Sequence, residues 1–153
     1  MMRLRPMGRE EFTAFRESFV REWAADLARA DELPEAEALA HAEARTLLSL
    51  PHGLATRHHF LFIIVNEEER VGTLWFSILG HRAFIDDLTI DPPFRRKGHG
   101  LRALALLEEK AAELSCTRIG LQTWRHNPGA VALYEKSGYQ TTGVQMRKAI
   151  VKR

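Results

Sequence analysis

Cysteine is nearly absent from the sequence, and its charges are close to balanced. Cys116 is the only cysteine, which excludes an internal disulfide or a cysteine-rich metal site and favours a reducing compartment. The 22 basic and 20 acidic residues leave a formal net charge of +2. This balance argues against strong, sequence-independent binding to nucleic acid phosphates, so we expect no nucleic-acid partner.

Long apolar runs and metal-ligand patterns are also missing. No stretch of about 18 consecutive apolar residues occurs, and residues 1–5 are not followed by an apolar run of signal-peptide length. The seven histidines show no ligand spacing with carboxylates or cysteine. With 153 residues, ordinary apolar content and no repeat or linker, we expect a single domain over residues 1–153, cytoplasmic, without a membrane segment or a metal.

Hydrophobic periodicity predicts strands that surround a few helices. Strands are predicted at residues 2–6, over a hairpin spanning 60–79, and at 83–91, 117–124 and 139–150. From residue 9, apolar side chains recur with the period of a helix that packs on a sheet: Phe12, Phe15, Phe19, Trp23 and Leu27. Three further helices are predicted: one that opens at Pro34 and carries Leu39, Leu47 and Leu48, one from His99 with Leu101, Leu104, Leu107, Ala111 and Leu114, and a short one over 127–136. This order predicts a mixed α+β fold.

A basic turn with glycines joins the strand at 83–91 to the helix at His99. Its residues 91–100 read Asp-Pro-Pro-Phe-Arg-Arg-Lys-Gly-His-Gly. Backbone N–H groups at a helix N-terminus converge on one spot with the positive end of the helix dipole. Arg95, Arg96 and Lys97 add formal charge there, and Gly98 and Gly100 allow close approach. The turn therefore indicates an anion site, with a solvated basic turn as the alternative.

Residues 95–100 resemble the Gln/Arg-x-x-Gly-x-Gly/Ala signature of the GNAT superfamily of N-acetyltransferases. A second segment, residues 127–139, is similar to that superfamily's later motif, with Asn127, Tyr134 and the closing Gly138-Tyr139. The resemblance covers roughly residues 60–147, and His99 departs from a position that is often apolar. It implies a three-layer sandwich in which a mostly antiparallel sheet splays at the cofactor cleft.

The resemblance also implies acetyl-CoA as the acyl donor. Its pyrophosphate would lie on the backbone of the turn, and its pantetheine arm would pair with backbone groups of Leu88 and Ile90. The Leu88 N–H would face the thioester oxygen. Residues expected at the pyrophosphate or elsewhere near the cofactor are Arg95, Arg96, Lys97, Gly98, His99, Gly100, Leu101, Asn127 and Tyr134. A homodimer is a family expectation.

Amine acetylation calls for a base that deprotonates the amine and an acid that protonates the leaving sulfur. Asp86 and Tyr134 match the family positions for these roles. Strand alternation predicts that Asp86 shares a face with Leu88, while Asp87 points to the other face. Alternatives remain open: Asp86 could only orient the substrate or a water, Tyr134 could be an ordinary half-buried aromatic, and Asn127 could be a helix cap.

The expected activity is direct attack of an amine on acetyl-CoA in a ternary complex, without a covalent acyl-enzyme. We expect a small primary amine as the acceptor, and acidic residues on the first two helices either attract a cationic amine or form a solvated face. Acetylation of protein N-termini or lysines is one alternative. A non-catalytic acyl-CoA-binding module is an alternative from another class, although such a module would need neither Asp86 nor Tyr134.

Overall fold

The computed structural model describes residues 1–31 and 33–151. Its elements are β1 (Met2–Pro6), α1 (Arg9–Asp31), α2 (Glu35–Ser49), β2 (His59–Asn66), β3 (Glu69–Leu79), β4 (Arg82–Ile90), α3 (His99–Glu113), β5 (Arg118–Leu121) and α4 (Pro128–Lys136). Short 3₁₀ turns lie at Gly53–Ala55 and Pro92–Phe94. Over the described residues the strands form one sheet in the order β1-β2-β3-β4-β5, antiparallel except for the parallel β4–β5 pair. The predicted mixed α+β class is confirmed.

Helices cover both faces of this sheet. On one face, Phe15 of α1 lies edge-on against Trp75 of β3, with ring centroids 6.3 Å apart. On the other face, α3 and the strands share a larger apolar cluster, which includes Phe62, Ile64, Leu74, Phe76, Ile85, Leu104 and Leu107. α2 packs on α1 through Ala38 and Ala42. The sheet thus lies between two helical layers, and the predicted packing of the aromatic face of α1 on the sheet is confirmed.

The buried face of α2 carries short side chains. Leu47 and Leu48 are 59% and 72% exposed, whereas Ala38, Ala42 and Thr46 are buried. The Thr46 hydroxyl donates a hydrogen bond to the Ala42 carbonyl at 2.7 Å, so this buried polar group has a partner. Short side chains four residues apart let the two helices lie close together, so α2 packs through its alanine face and not through its leucines.

The C-terminal segment also departs from the prediction. Residues 139–151 contain no strand, and β5 covers only Arg118–Leu121 instead of residues 117–124. Every described residue from 140 onward is exposed, including Val144 at 76% and Met146 at 92%. The prediction of one or two final strands was therefore wrong, and β5 is one of the two edge strands of the described sheet.

Local sequence explains where the central strand β4 begins and ends. Gly80, with φ of +63°, makes the tight turn from β3. Pro92 and Pro93 lack the N–H groups that a further ladder would need. Asp91 makes the last bond to β3, donating its N–H to the Val71 carbonyl at 2.8 Å. Among the described helices, none is long and apolar enough to cross a membrane.

Candidate active site

β4 and β5 separate along the sheet and leave a cleft. Their parallel pairing joins Arg82–Ile85 of β4 to Arg118–Leu121 of β5. β4 then continues to Ile90, whereas β5 ends and the chain turns toward α4. The edge of β4 from Asp86 onward therefore has no ladder with β5. Such an edge offers backbone donors and acceptors to a ligand that enters the cleft.

The backbone groups of Leu88 and Ile90 face this cleft. Because the Asp91 N–H bonds to Val71 of β3 and backbone polar groups alternate along a strand, Leu88 and Ile90 present theirs away from β3. The Ile90 carbonyl accepts a hydrogen bond from Arg95 Nε at 2.8 Å. The backbone N–H and C=O groups of Leu88 and Ile90 therefore point toward the cleft. Arg95 would compete with a ligand for the Ile90 carbonyl.

The turn before α3 presents a helix N-terminus flanked by positive charge. Arg96 and Gly98 have left-handed backbones, with φ of +63° and +79°, and Gly98 directly precedes the first helical residue, His99. N–H groups of a first helical turn have no intrahelical partner and carry the positive end of the dipole. Arg95, Arg96 and Lys97 are exposed beside them. This arrangement fits a pyrophosphate group.

Some side chains of this turn face the protein interior. A Cβ on Gly100 would lie 3.1 Å from the Leu133 side chain of α4, so the absence of a side chain lets α3 and α4 meet. His99 is only 7% exposed, and its Nδ1 lies 2.6 Å from a guanidinium nitrogen of Arg102. Leu101 is half-buried. If His99 and Gly100 contact the acyl donor, they would therefore do so through their backbone N–H groups.

Asp86 and Asp87 lie on the same face of the sheet, the one covered by α1. Trp75 of β3 pairs with Asp87, but the next residue of β3 pairs with Ile85, so Asp86 is the extra residue of a β-bulge. Ile85 and Leu88 both pack on the α3 side. Asp87 pairs with Trp75, which packs on the α1 side, and Asp86 interacts with Ser77, two residues along β3 from Trp75, so both aspartates lie on the α1 side. The prediction that Asp86 shares a face with Leu88 and opposes Asp87 was wrong, because the bulge interrupts the period of two.

Asp86 has an electrostatic environment suited to proton transfer. Burial raises the pKa of Asp86 to about 7; the Ser77 hydroxyl opposes this shift and the neighbouring Asp87 adds to it. Its Oδ2 atom is buried and has no hydrogen-bond partner in the described part of the chain. Near neutral pH this carboxyl group can therefore take up or release a proton.

Asp87 is held by two threonines. Its Oδ2 accepts a bond from the Thr73 hydroxyl at 3.0 Å, and its Oδ1 accepts one from the Thr89 hydroxyl at 2.9 Å. Burial raises the pKa of Asp87 to about 6, although both hydroxyls lower it. Since each oxygen already has a partner, Asp87 is suited to hold the bulge in place.

Tyr134 of α4 is partly buried near Asp87. Burial, followed by the charges of Asp87 and Tyr139, raises the pKa of Tyr134 above its ordinary value, so the phenol keeps its proton. The Tyr139 ring lies edge-on to it, with centroids 5.5 Å apart. The Tyr139 hydroxyl is buried without a hydrogen-bond partner among the described residues, and burial raises its pKa to about 12.

Asn127 caps α4. Its Oδ1 accepts the Ala130 N–H at 3.2 Å, and Pro128 occupies the first helical position. The capping role left open by the sequence is confirmed, while its place near the cofactor stays a prediction.

A side wall of the site was missed from the sequence. Asp26 of α1 accepts a hydrogen bond from His126 Nε2 at 2.7 Å, which ties α1 to the loop between β5 and α4. The Trp124 ring stacks on His126, with centroids 5.7 Å apart, and packs against the α1–α2 cluster. Glu22 lies one turn before Asp26; desolvation raises its pKa, and Arg95 opposes the shift. Asp26 and His126 are a hundred positions apart, and no local motif links them.

The cleft, the bulge and the α3 turn all adjoin the second half of β4. Among the described residues, no group of three histidine, cysteine or carboxylate side chains is arranged to hold a metal ion. The sequence model of the Acetyltransferase (GNAT) family matches residues 13–139. The chain therefore belongs to the GNAT family of acetyltransferases, and it is an acyltransferase of that type.

Individual relatives agree with this assignment. The chain is 35% identical over 153 residues to the uncharacterized N-acetyltransferase YycN of Bacillus subtilis (strain 168), covering 96% of this chain and 97% of the relative. The crystal structure of YycN superposes with a TM-score of 0.93 at 31% identity, covering 99% of this chain and 100% of that one. The chain thus shares its fold with YycN over essentially its whole length.

Two proteins less similar to this chain are also N-acetyltransferases. PaiA N-acetyltransferase from Thermoplasma acidophilum, solved in complex with coenzyme A, superposes with a TM-score of 0.71 at 15% identity, covering 95% of this chain and 93% of that one. At that identity the likeness concerns the fold alone. The spermine/spermidine N(1)-acetyltransferase of Bacillus subtilis (strain 168) is 32% identical over 84 residues, 54% of this chain and 49% of the relative.

Proposed function

We propose that this enzyme transfers an acetyl group from acetyl-CoA to a primary amine of a small cationic molecule. The observation that carries the proposal is a set of carboxyl groups beside the basic turn, where Arg95 lies close enough to Glu22 to oppose the rise in its pKa. Exposed basic residues and the N-terminus of α3 flank one end of the cleft. Carboxyl groups of Glu22, Asp26, Asp86 and Asp87 lie on the α1 side.

The residues at the α3 turn fit the donor. Left-handed backbones at Arg96 and Gly98 position the turn so that the first N–H groups of α3 can hold a pyrophosphate. The unpaired edge of β4 offers Leu88 to the pantetheine arm. When bound, acetyl-CoA supplies a thioester whose acetyl group is transferred and whose sulfur leaves. The Leu88 N–H is the donor that we assign to the thioester carbonyl oxygen.

Asp86 is the base that we assign. An amine attacks only when neutral, and a base whose pKa lies near the working pH is the most effective. The pKa of Asp86, raised by burial to about 7, meets that requirement. Its unpartnered Oδ2 can accept the amine proton directly or through a water, and the short side chain favours the water. Tyr134, protonated and near Asp87, is the acid for the leaving sulfur.

The side wall favours a small cationic acceptor over a polypeptide. The Asp26–His126 bond joins α1 to the β5–α4 loop, so two walls of the site are linked where an extended peptide would need an open groove. Carboxylates beside a buried base attract an ammonium group and hold a second positive charge of the same molecule. The distant resemblance to a spermine/spermidine acetyltransferase is compatible with such an acceptor.

A comparison of amines tests the proposal. We expect CoA release with primary amines that carry a second positive charge, such as spermidine, because that charge can contact a carboxylate. Their kcat/KM should be at least about tenfold above that for propylamine, which corresponds to about 1.4 kcal/mol. Glu22→Gln should raise the KM for spermidine and leave that for propylamine unchanged. Glu17→Gln, an exposed substitution elsewhere on α1, is the matched control. Faster acetylation of N-terminal or lysine-containing peptides than of spermidine would contradict the small-amine assignment.

A further inference from the structure

A cavity of about 740 Å³ lies over the start of β4 and β5, at the opposite end of β4 from the α3 turn. Strand register aligns four of its lining residues in one row across β2, β3, β4 and β5: His59, Ser77, Phe84 and Gly120. Phe84 lies between Ala83 and Ile85, which both pack on the α3 side, so this row faces the α1 side. Phe84 is 40% exposed, so part of its ring surface is open to the cavity.

Positive charge surrounds this row. Arg82 and Arg118 are partners in the parallel ladder of β4 and β5, so their side chains leave the same face of the sheet side by side. Arg57 and His58 complete the basic lining at the start of β2. No acidic residue lines the described cavity, and none of its three arginines has an ion-pair partner among the described residues.

This arrangement fits an anion with an apolar body. Like charges opposite each other on neighbouring strands destabilise a sheet, and an anion between Arg82 and Arg118 offsets that repulsion. Guanidinium groups bind carboxylate and phosphate groups through paired N–H donors. A Cβ on Gly120 would meet nothing within 4 Å, so a flat ring has room over Gly120, beside Phe84.

We propose that this cavity binds a small aromatic molecule that carries a carboxylate or phosphate group. The anionic group lies between Arg82 and Arg118, and the ring lies over Phe84 and Gly120. The arginines repel a cationic amine, and Arg82 precedes Asp86 by four residues, which is about 13 Å of extended strand. The anion site is therefore separate from the acetyl-transfer site, and the proposal does not depend on which amine is acetylated.

Calorimetric titration with phenyl phosphate and with isophthalate tests the site and separates phosphate from carboxylate as the preferred group. Each titration is repeated with excess CoA, because the α3 turn also attracts anions. We expect the wild type to bind at least one of the two compounds with a Kd below about 1 mM, and with the same affinity in both conditions. Inorganic phosphate and acetate, which lack the ring, should bind at least about tenfold more weakly.

Full-length variants locate the binding. Arg82→Gln combined with Arg118→Gln should weaken binding of the aromatic anions at least about tenfold, because both guanidinium groups are lost. Both positions are exposed, and removal of like charges from paired positions should not lower the melting temperature. Arg45→Gln removes an exposed arginine of α2 outside the cavity, so this matched control should bind as the wild type does. Gly120→Val fills the space beside Phe84 and should abolish the advantage of the ring.

Several outcomes would overturn the proposal. The wild type could bind neither aromatic anion, or the doubly substituted variant could bind them as tightly as the wild type does. Loss of binding in excess CoA would place the anion at the α3 turn instead of the cavity. Equal affinity for aromatic and ringless anions would show that the arginines attract any anion, and would remove Phe84 and Gly120 from the site.

Discussion

Asp86→Asn should lower kcat/KM by about 10²–10⁴-fold, the usual contribution of a general base. Asparagine keeps the size of the side chain at the bulge but cannot accept the amine proton. Burial gives Asp86 a pKa of about 7, so the carboxylate form is lost as pH falls below 7. The rate should be measured from pH 5.5 to 9 with a saturating donor and a fixed amine.

The pH profile separates a base from a merely structural carboxylate. Below pH 7 Asp86 must lose a proton before it can accept one from the bound ammonium, whereas above pH 7 it is already ionised. The slope of log kcat/KM against pH should therefore change from about 1 to about 0 near pH 7 in the wild type, but stay at about 1 in Asp86→Asn, where only amine that is already neutral can react. Asp87→Asn is the matched control: Asp86 keeps its carboxyl group, so the change of slope should remain, but at a lower pH, because the charge of Asp87 no longer raises the pKa of Asp86. If Asp87→Asn removes it instead, the base is Asp87.

Stability provides a second control on Asp86. The folded-state pKa of about 7 lies above the ordinary value of 3.8, so the folded chain retains this proton longer than the unfolded chain. The contribution of this group to stability is therefore present below pH 4 and is lost as pH rises toward 7. Asparagine does not titrate, so Asp86→Asn should melt no lower than the wild type at pH 8. If Asp86→Asn is as stable as the wild type, its lower kcat/KM reflects a loss in the chemical step and not unfolding.

Tyr134→Phe should lower kcat by about 10²-fold or more while the affinity for acetyl-CoA changes little. The substitution removes the hydroxyl that we assign to the leaving sulfur but keeps the ring that lies against Tyr139. Single-turnover rates measured with a saturating amine should show the loss in the chemical step. The loss should be smaller with an acyl donor whose thiol leaves more easily, because such a thiol needs less protonation.

Tyr139→Phe is the matched control for Tyr134. The Tyr139 hydroxyl is buried without a hydrogen-bond partner in the described structure, so its removal should not reduce stability. Turnover should stay within about threefold of the wild type, since a residue away from the reacting atoms contributes little. Equal losses in both variants would show that the effect comes from packing between α4 and the following turn, and would remove Tyr134 from the mechanism.

The sequence predicts those parts of the fold that local interactions determine. The apolar period of α1, the β-rich runs of β2 and β3, and the proline stop after β4 each lie within one short segment. The turn at Gly98 and the cap at Asn127 were predictable for the same reason, because left-handed backbone and capping have residue preferences of their own.

The parts that were not predicted depend on partners distant in sequence. The bulge at Asp86 depends on the register of β4 on β3, where Trp75 pairs with Asp87. No pattern within the sequence of β4 predicts it. The Asp26–His126 bond joins α1 to the loop before α4. The buried alanine face of α2 depends in the same way on the close approach of α1.

The C-terminal strands were predicted from a pattern that is short. Val144 and Met146 alternate with Gln145 and Arg147, but Lys148 interrupts the alternation before Ile150, and the segment forms no strand in the described structure.

Calorimetric titration with acetyl-CoA tests the central claim most directly, because it needs no knowledge of the acceptor. Three proteins should be compared: the wild type, Gly98→Val and Gly80→Val. Gly98 and Gly80 have φ of +79° and +63° with open space around them, so valine strains both backbones similarly, but only Gly98 lies at the N-terminus of α3. We expect micromolar binding by the wild type and Gly80→Val and at least about tenfold weaker binding by Gly98→Val. No binding by the wild type, or equal affinity for wild type and Gly98→Val, would contradict a donor site on the α3 turn.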